Sequence, residues 1–138
     1  MKKVFLGLAL VASIVACKKD DKNDSGSKTT REKIVGIWLG DKQIDVEKTN
    51  GTVTYSDTTD LTGFQLNFAN DGNVFFSIGG FPLDTASWAL NGDTKILLDG
   101  EEFTIKNLTD NQFHVGYDST YVGGGTTMEY MMDIYLKR

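Results

Sequence analysis

Phe64-Gln65-Leu66-Asn67-Phe68-Ala69-Asn70-Asp71-Gly72-Asn73-Val74-Phe75-Phe76-Ser77-Ile78 reads as two strands and the turn between them. Phe64, Leu66 and Phe68 alternate with polar or small neighbours, and Val74, Phe76 and Ile78 resume the alternation after the turn. Period two puts every second side chain on one face of a sheet. Between the runs, Asn70-Asp71-Gly72-Asn73 holds the residues a tight turn needs. Gly accepts positive φ, and Asn and Asp tolerate it. The stretch therefore predicts an antiparallel hairpin with one apolar face.

The same grammar extends outward. Gly79-Gly80-Phe81-Pro82 breaks the pattern, and Ala86, Trp88 and Leu90 take it up again before Asn91-Gly92-Asp93. Lys95–Leu98 is short and apolar, and Asp99-Gly100-Glu101 turns once more. Phe103 and Ile105, then Phe113, Val115 and Tyr117, alternate on either side of Thr109-Asp110-Asn111. After Gly123-Gly124-Gly125 comes the longest alternating run, Met128, Tyr130, Met132, Ile134 and Leu136. A first strand near Ile34–Val46 and a weaker one near Thr52–Thr58 bring the expected count to eight or nine. Turn signals every 8 to 12 residues or so, with no helical period after Val35, predict an antiparallel barrel or sandwich. Hairpin-length connections favour an up-and-down barrel, whose closure removes exposed edges. The one expected helix covers Arg31–Val35, where Thr29-Thr30-Arg31-Glu32 fits a capping box.

The N-terminus carries a separate message. Lys2 and Lys3 precede the apolar run Val4–Ala16, far short of the about 20 residues a spanning helix needs. Charge, apolar centre and small-residue end make a secretory signal peptide over residues 1–16. The segment ends on the only cysteine, in Ile14-Val15-Ala16-Cys17. This resembles the lipobox of bacterial lipoproteins, which implies that Cys17 is the first mature residue and carries three acyl chains of the palmitate type. Lys18-Lys19-Asp20-Asp21 resembles the export signal of surface lipoproteins in the Bacteroidetes. The resemblance implies an outer-membrane anchor at the cell surface, with the periplasmic face as the alternative. Residues 17–28 are polar and read as a tether. Residues 29–138 form one domain long enough for a sizeable core.

Removing residues 1–16 takes away two lysines and no acid, so the formal charge moves from −5 to −7. An acidic domain repels phosphate backbones, and nucleic acid is not an expected partner.

At Gly36-Ile37-Trp38 the chain resembles the lipocalins, in which a short helix precedes Gly-x-Trp at the start of the first strand. Phe68-Ala69-Asn70-Asp71-Gly72 and Trp88-Ala89-Leu90-Asn91-Gly92 are similar to small lipocalin-like lipoproteins of Bacteroidetes. The resemblance spans Thr30–Arg138 and implies an eight-stranded barrel. The family's late arginine, which packs over the Trp, would fall on Lys137 or Arg138, while its Thr-Asp-Tyr loop is missing because Asn111 follows Thr109-Asp110. Read physically, Trp38 buries a large ring whose N–H needs a partner, and Gly36 admits a neighbouring backbone. Together they are expected to close one end of the barrel.

The expected inner face holds Phe64, Phe68, Phe76, Trp88, Phe103, Phe113, Tyr117 and Tyr130, with no charge interrupting it in the clearest strands. Such an interior either fills with side chains or keeps a cavity for one small ligand. The binding reading is a small apolar or amphipathic molecule inside the barrel. The alternative is a filled barrel that engages a surface protein or glycan through its loops. Phe81-Pro82 is expected in an exposed loop wedge at a mouth or a partner surface, and Met131 and Tyr135 on the outer face as a partner patch, a dimer contact or, as the cheapest explanation, cover for the helix. No catalytic set is expected, nor a metal or cofactor. His114, the only histidine, falls outside the barrel without cysteine partners for a usual zinc site. The many aspartates fall mostly in turns, where they satisfy local backbone donors.

Overall fold

The computed structural model describes residues 27–138. The signal-peptide and lipobox readings, and Cys17 with them, lie outside these residues. One short helix, α1 (Thr30–Ile34), precedes nine strands. Thr29 caps the helix: its hydroxyl accepts from the Glu32 N–H, and the Glu32 carboxylate accepts from the Thr29 N–H at 2.7 Å. The capping box thus forms on the expected residues, and the helix runs one residue earlier than the expected Arg31–Val35 span.

The strands are β1 (Gly36–Thr49), β2 (Thr52–Asp60), β3 (Phe64–Phe68), β4 (Asn73–Ile78), β5 (Phe81–Leu90), β6 (Lys95–Leu98), β7 (Glu101–Leu108), β8 (Gln112–Gly123) and β9 (Thr126–Lys137). All pair antiparallel, and β9 returns to β1, so the barrel closes. β1, β3 and the strands that follow make eight staves, with β2 as the extra strand. β2 and β3 lie one after the other along the same edge of β1: Lys42–Thr49 pairs with β2, and Gly36–Leu39 pairs with β3.

The interruption between β2 and β3 matches a bulge in β1. Gly40 opposes Leu136 and Lys42 opposes Tyr135, so Asp41 is the extra residue. At the same level Leu61 donates its N–H to the Asp41 carbonyl, and a Cβ on Gly40 would lie 2.5 Å from the Leu61 carbonyl oxygen. Only glycine permits that approach.

The core gathers at the helix end. Ile34, Trp38, Phe68, Val74, Trp88, Ile96, Phe103, Phe113, Val115 and Leu136 are buried. Trp38 and Phe113 lie 5.3 Å apart, Phe68 and Trp88 5.5 Å, and Phe68 and Phe113 5.9 Å. Such pairs add about 0.5–1.5 kcal/mol each beyond burial. The two tryptophans are held alike. The Trp38 indole N–H donates to the Ile34 carbonyl at 2.7 Å, and Arg138 stacks over its ring at 4.0 Å. The Trp88 indole N–H donates to the Ala69 carbonyl at 2.9 Å, and Arg31 stacks over its ring at 4.5 Å. Arg138 also donates to the Val35 carbonyl at 2.7 Å.

Three expectations change. α1 does not rest on Met131 and Tyr135; its last residue, Ile34, plugs the barrel end, where an apolar side chain finds a full shell of partners. Phe81 and Pro82 belong to β5, not to a loop, because Gly79 and Gly80, both at positive φ, complete the turn by themselves. Pro82 is tolerated there beside an irregularity in the β4–β5 pairing. Gly36 faces not a backbone but the Arg138 guanidinium, 3.1 Å from where its Cβ would lie, and its φ of 118° suits glycine alone.

Candidate functional site

The two ends of the barrel differ in depth of burial. Phe68, Trp88, Phe103 and Phe113 of the expected inner face are buried, and so is Trp38. Phe64, Phe76, Tyr117 and Tyr130 lie on the same face yet stay half-exposed. So do Leu66, Met132 and Ile134, which pack against the core. An inward residue that still meets solvent lies near an opening. The barrel is therefore closed at the α1 end and open at the other.

Strand lengths shape the opening. β7 pairs with β8 only along Phe113–Gly116, and β4 pairs with β3 but not with β2. The upper parts of β8 and β9, with β1 and β2, therefore stand beyond the shorter strands as a four-stranded sheet. Its two outer edges carry no partner strand among the described residues. Every residue of β2 is exposed.

The Asp41 bulge decides what this sheet turns inward. A single extra residue reverses the faces of everything after it. Without it, Ile44 and Val46 would continue the inward row of Trp38 and Gly40. With it, Gln43, Asp45 and Glu47 share the face of Ile134, Met132 and Tyr130, their cross-strand partners. The side chains agree: the Tyr130 hydroxyl donates to Asp45 at 2.6 Å, and the Gln43 amide donates to Asp45 at 2.9 Å. Tyr130 lies 6.4 Å from Tyr117, whose ring meets Phe103 of the core at 5.6 Å. The inner face is thus not free of charge, as the clear strands alone implied. Asp84 joins it on the opposite wall, in register with Phe76.

β2 adds to the same face. Asp57 opposes Asp45, and Tyr55 opposes Glu47. The fields agree with this placement. Hydrogen bonding to Asp45, with burial and the Asp45 and Glu47 charges behind it, pushes the Tyr130 phenol up to about 12. Tyr55 is also raised, first by the charge of Asp57, then by burial and by Asp45 and Glu47.

A depression of about 270 Å³ opens on the upper part of this face. Glu47, Thr49, Thr54, Ser119, Tyr121, Met128 and Tyr130 line it, together with the cross-strand pair Lys48 and Glu129. Its volume lies just under the range of about 300–1,000 Å³ usual for ligand pockets.

No family model matches this chain, and no curated protein matches it either.

A second depression, about 280 Å³, involves the outer surface, where His114, Tyr135, Asp41 and Gln112 are among its lining residues. His114 lies outside the barrel, with Nε2 2.8 Å from Asp133 and its ring stacked on Tyr135 at 4.1 Å. Lys106 reaches the same Asp133 oxygen at 2.6 Å. Burial works to raise the Asp133 carboxyl, but the hydrogen bonds from Lys106 and His114 outweigh it and hold the group below its ordinary value. Asp133 here neutralises Lys106 and orients an imidazole that no hydroxyl or thiol approaches among the recorded hydrogen bonds of the described residues. That arrangement lacks the nucleophile a His–Asp pair would activate. Among the described residues, no three His, Cys, Asp or Glu side chains come together in a metal-binding group.

Proposed function

We propose that this protein is a lipid-anchored envelope protein that holds one small amphipathic molecule in the open end of its barrel, as a binder and not a catalyst. The observation that carries this reading is the split interior. Aromatic packing seals one end, while Phe64, Phe76, Tyr117 and Met132 keep apolar surface open to the other. Apolar surface facing a mouth that solvent enters is what an amphipath covers on binding. Arg138 over Trp38, beside a capped helix and Gly36, supports a lipocalin-like ancestry, since these contacts close the barrel where that resemblance expects closure.

Phenylnaphthylamine, a neutral probe that brightens in apolar surroundings, tests the reading. Titrated into the full chain in a maltoside detergent, with empty micelles as blank, it should saturate at one site and weaken when Met132→Glu charges the wall. A response no greater than that of the micelles would refute it. The anchor rests on the Cys17 lipobox and has its own check. Palmitate labelling should mark the wild-type chain in cells and leave Cys17→Ser unlabelled.

The second reading, a protein- or glycan-binding module, draws on the projecting sheet. Among the described residues its edges carry no partner strand, and Tyr121 and Val122 near its tip are 68% and 70% exposed. Unpaired edges accept an added strand. Cross-linking from Val122 in intact envelopes would show a discrete partner if this surface is used.

A further inference from the structure

We propose that the mouth selects organic cations: molecules with an ammonium head, primary to quaternary, on a short apolar body. The inference rests on the amphipath-binding reading and adds the sign of the ligand's charge.

Four observations converge on it. The first is the cavity, about 270 Å³, with Glu47 in its wall and the rings of Tyr121 and Tyr130 beside it. The second is the sign of the face around it. From β1 and β2 the inward register presents Asp45, Glu47 and Asp57, and from β8 and β9 it presents tyrosine, serine and methionine. The lysines of β1 do not share this register. Lys42 stacks over Tyr135 on the outer face at 4.9 Å, and Lys48, which also lines the depression, is matched there by Glu129, its cross-strand partner.

The third is the lack of internal neutralisation. Asp45 and Asp57 are direct cross-strand partners, a like-charge pairing that costs stability. None of the ion pairs among the described residues involves Asp45, Glu47 or Asp57, although Lys28, Lys95, Lys106 and Lys137 all pair with acids elsewhere. The fourth is depth. Below the acids, Tyr130 leads to Tyr117 and then to Phe103, a descending aromatic path 6.4 Å and 5.6 Å between centroids.

These features divide the work of binding an amphipathic cation. The carboxylates attract the head, and tyrosine faces stabilise it through their quadrupoles. The apolar body follows the aromatic path inward. The same fields repel an anionic head, so a carboxylate of equal chain length is disfavoured by attraction lost and repulsion gained.

Octyltrimethylammonium, octanoate and octanol share a chain and differ in charge, and their binding to the full chain by calorimetry tests the proposal. The expected order is cation first, by about tenfold or more over octanoate, with octanol between. Glu47 and Asp57 are exposed and, among the described residues, form no hydrogen bond or ion pair through their side chains, so Glu47→Gln/Asp57→Asn should leave the circular dichroism spectrum unchanged while closing most of that gap. Added salt should narrow it in the wild type as well. Equal binding of all three probes would overturn the charge selectivity and leave the amphipath reading standing. Absence of binding by any of them would remove both. A preference for the cation that survives the double substitution would place the selecting charge elsewhere and overturn the assignment to this face.

Discussion

Tyr130 joins the acidic wall to the aromatic interior through one hydrogen bond to Asp45 at 2.6 Å. Folding lifts its phenol from 10.0 to about 12, chiefly through that bond. A raised folded value favours the protonated form. The stability it contributes is complete below about pH 10 and disappears as pH climbs through about 12. Tyr130→Phe should therefore lower stability at neutral pH by about 0.5–3 kcal/mol, counting the Asp45 carboxylate left without its donor. It should also flatten the loss between pH 10 and 12. Urea melts at pH 7, 10 and 11.5 or so would show both effects. An alkaline limb identical in the two chains would mean that the hydrogen bond is not made in solution. Trp38 and Trp88 show the same economy at the closed end, each giving its indole N–H to a carbonyl and its ring face to an arginine.

At the scale of elements, the bulge in β1 governs the site. Gly40 sits where Leu61 crosses, and an added Cβ would meet the Leu61 carbonyl oxygen at 2.5 Å and its Cβ at 2.7 Å. Gly40→Ala should destabilise the protein by about 1–3 kcal/mol, because backbone rather than a flexible side chain must move. The measurement is a thermal melt beside Gly51→Ala, where no atom lies within 4 Å but φ is positive; that variant should lose less, about 1 kcal/mol. The same bulge explains what the sequence showed and what it hid. Phe64–Ile78, Phe103–Tyr117 and Met128–Leu136 keep or nearly keep period two, so their inward residues were legible. In β1 the pattern reads Trp38, Gly40, then Ile44 and Val46 as one apolar face, and nothing in residue type marks Asp41 as the extra residue. Asp45 and Glu47 were hidden for that reason, and Asp57 and Tyr55 with them, since their face is inherited from β1. Asn50-Gly51, with φ of 51° and 78°, was a turn signal available to close the β1–β2 hairpin.

The whole molecule is a barrel with unlike ends. One end is packed by Ile34 and the two tryptophans, and the other rises into a sheet of four strands whose inner face carries acids and tyrosines. Placing β1 in both the seal and the mouth ties stability and site to one strand, from Trp38 to Glu47. Among the described residues the interior opens at the end away from α1, and under the proposed function a ligand enters there. Hydroxyl-radical footprinting of the full chain, with and without saturating phenylnaphthylamine, tests it directly. Met132 and Tyr117 should be oxidised in the free protein and protected by the probe, with no labelling of Trp38 in either state. Equal oxidation of Met132 and Tyr117 with and without bound probe, or ready oxidation of Trp38, would contradict it.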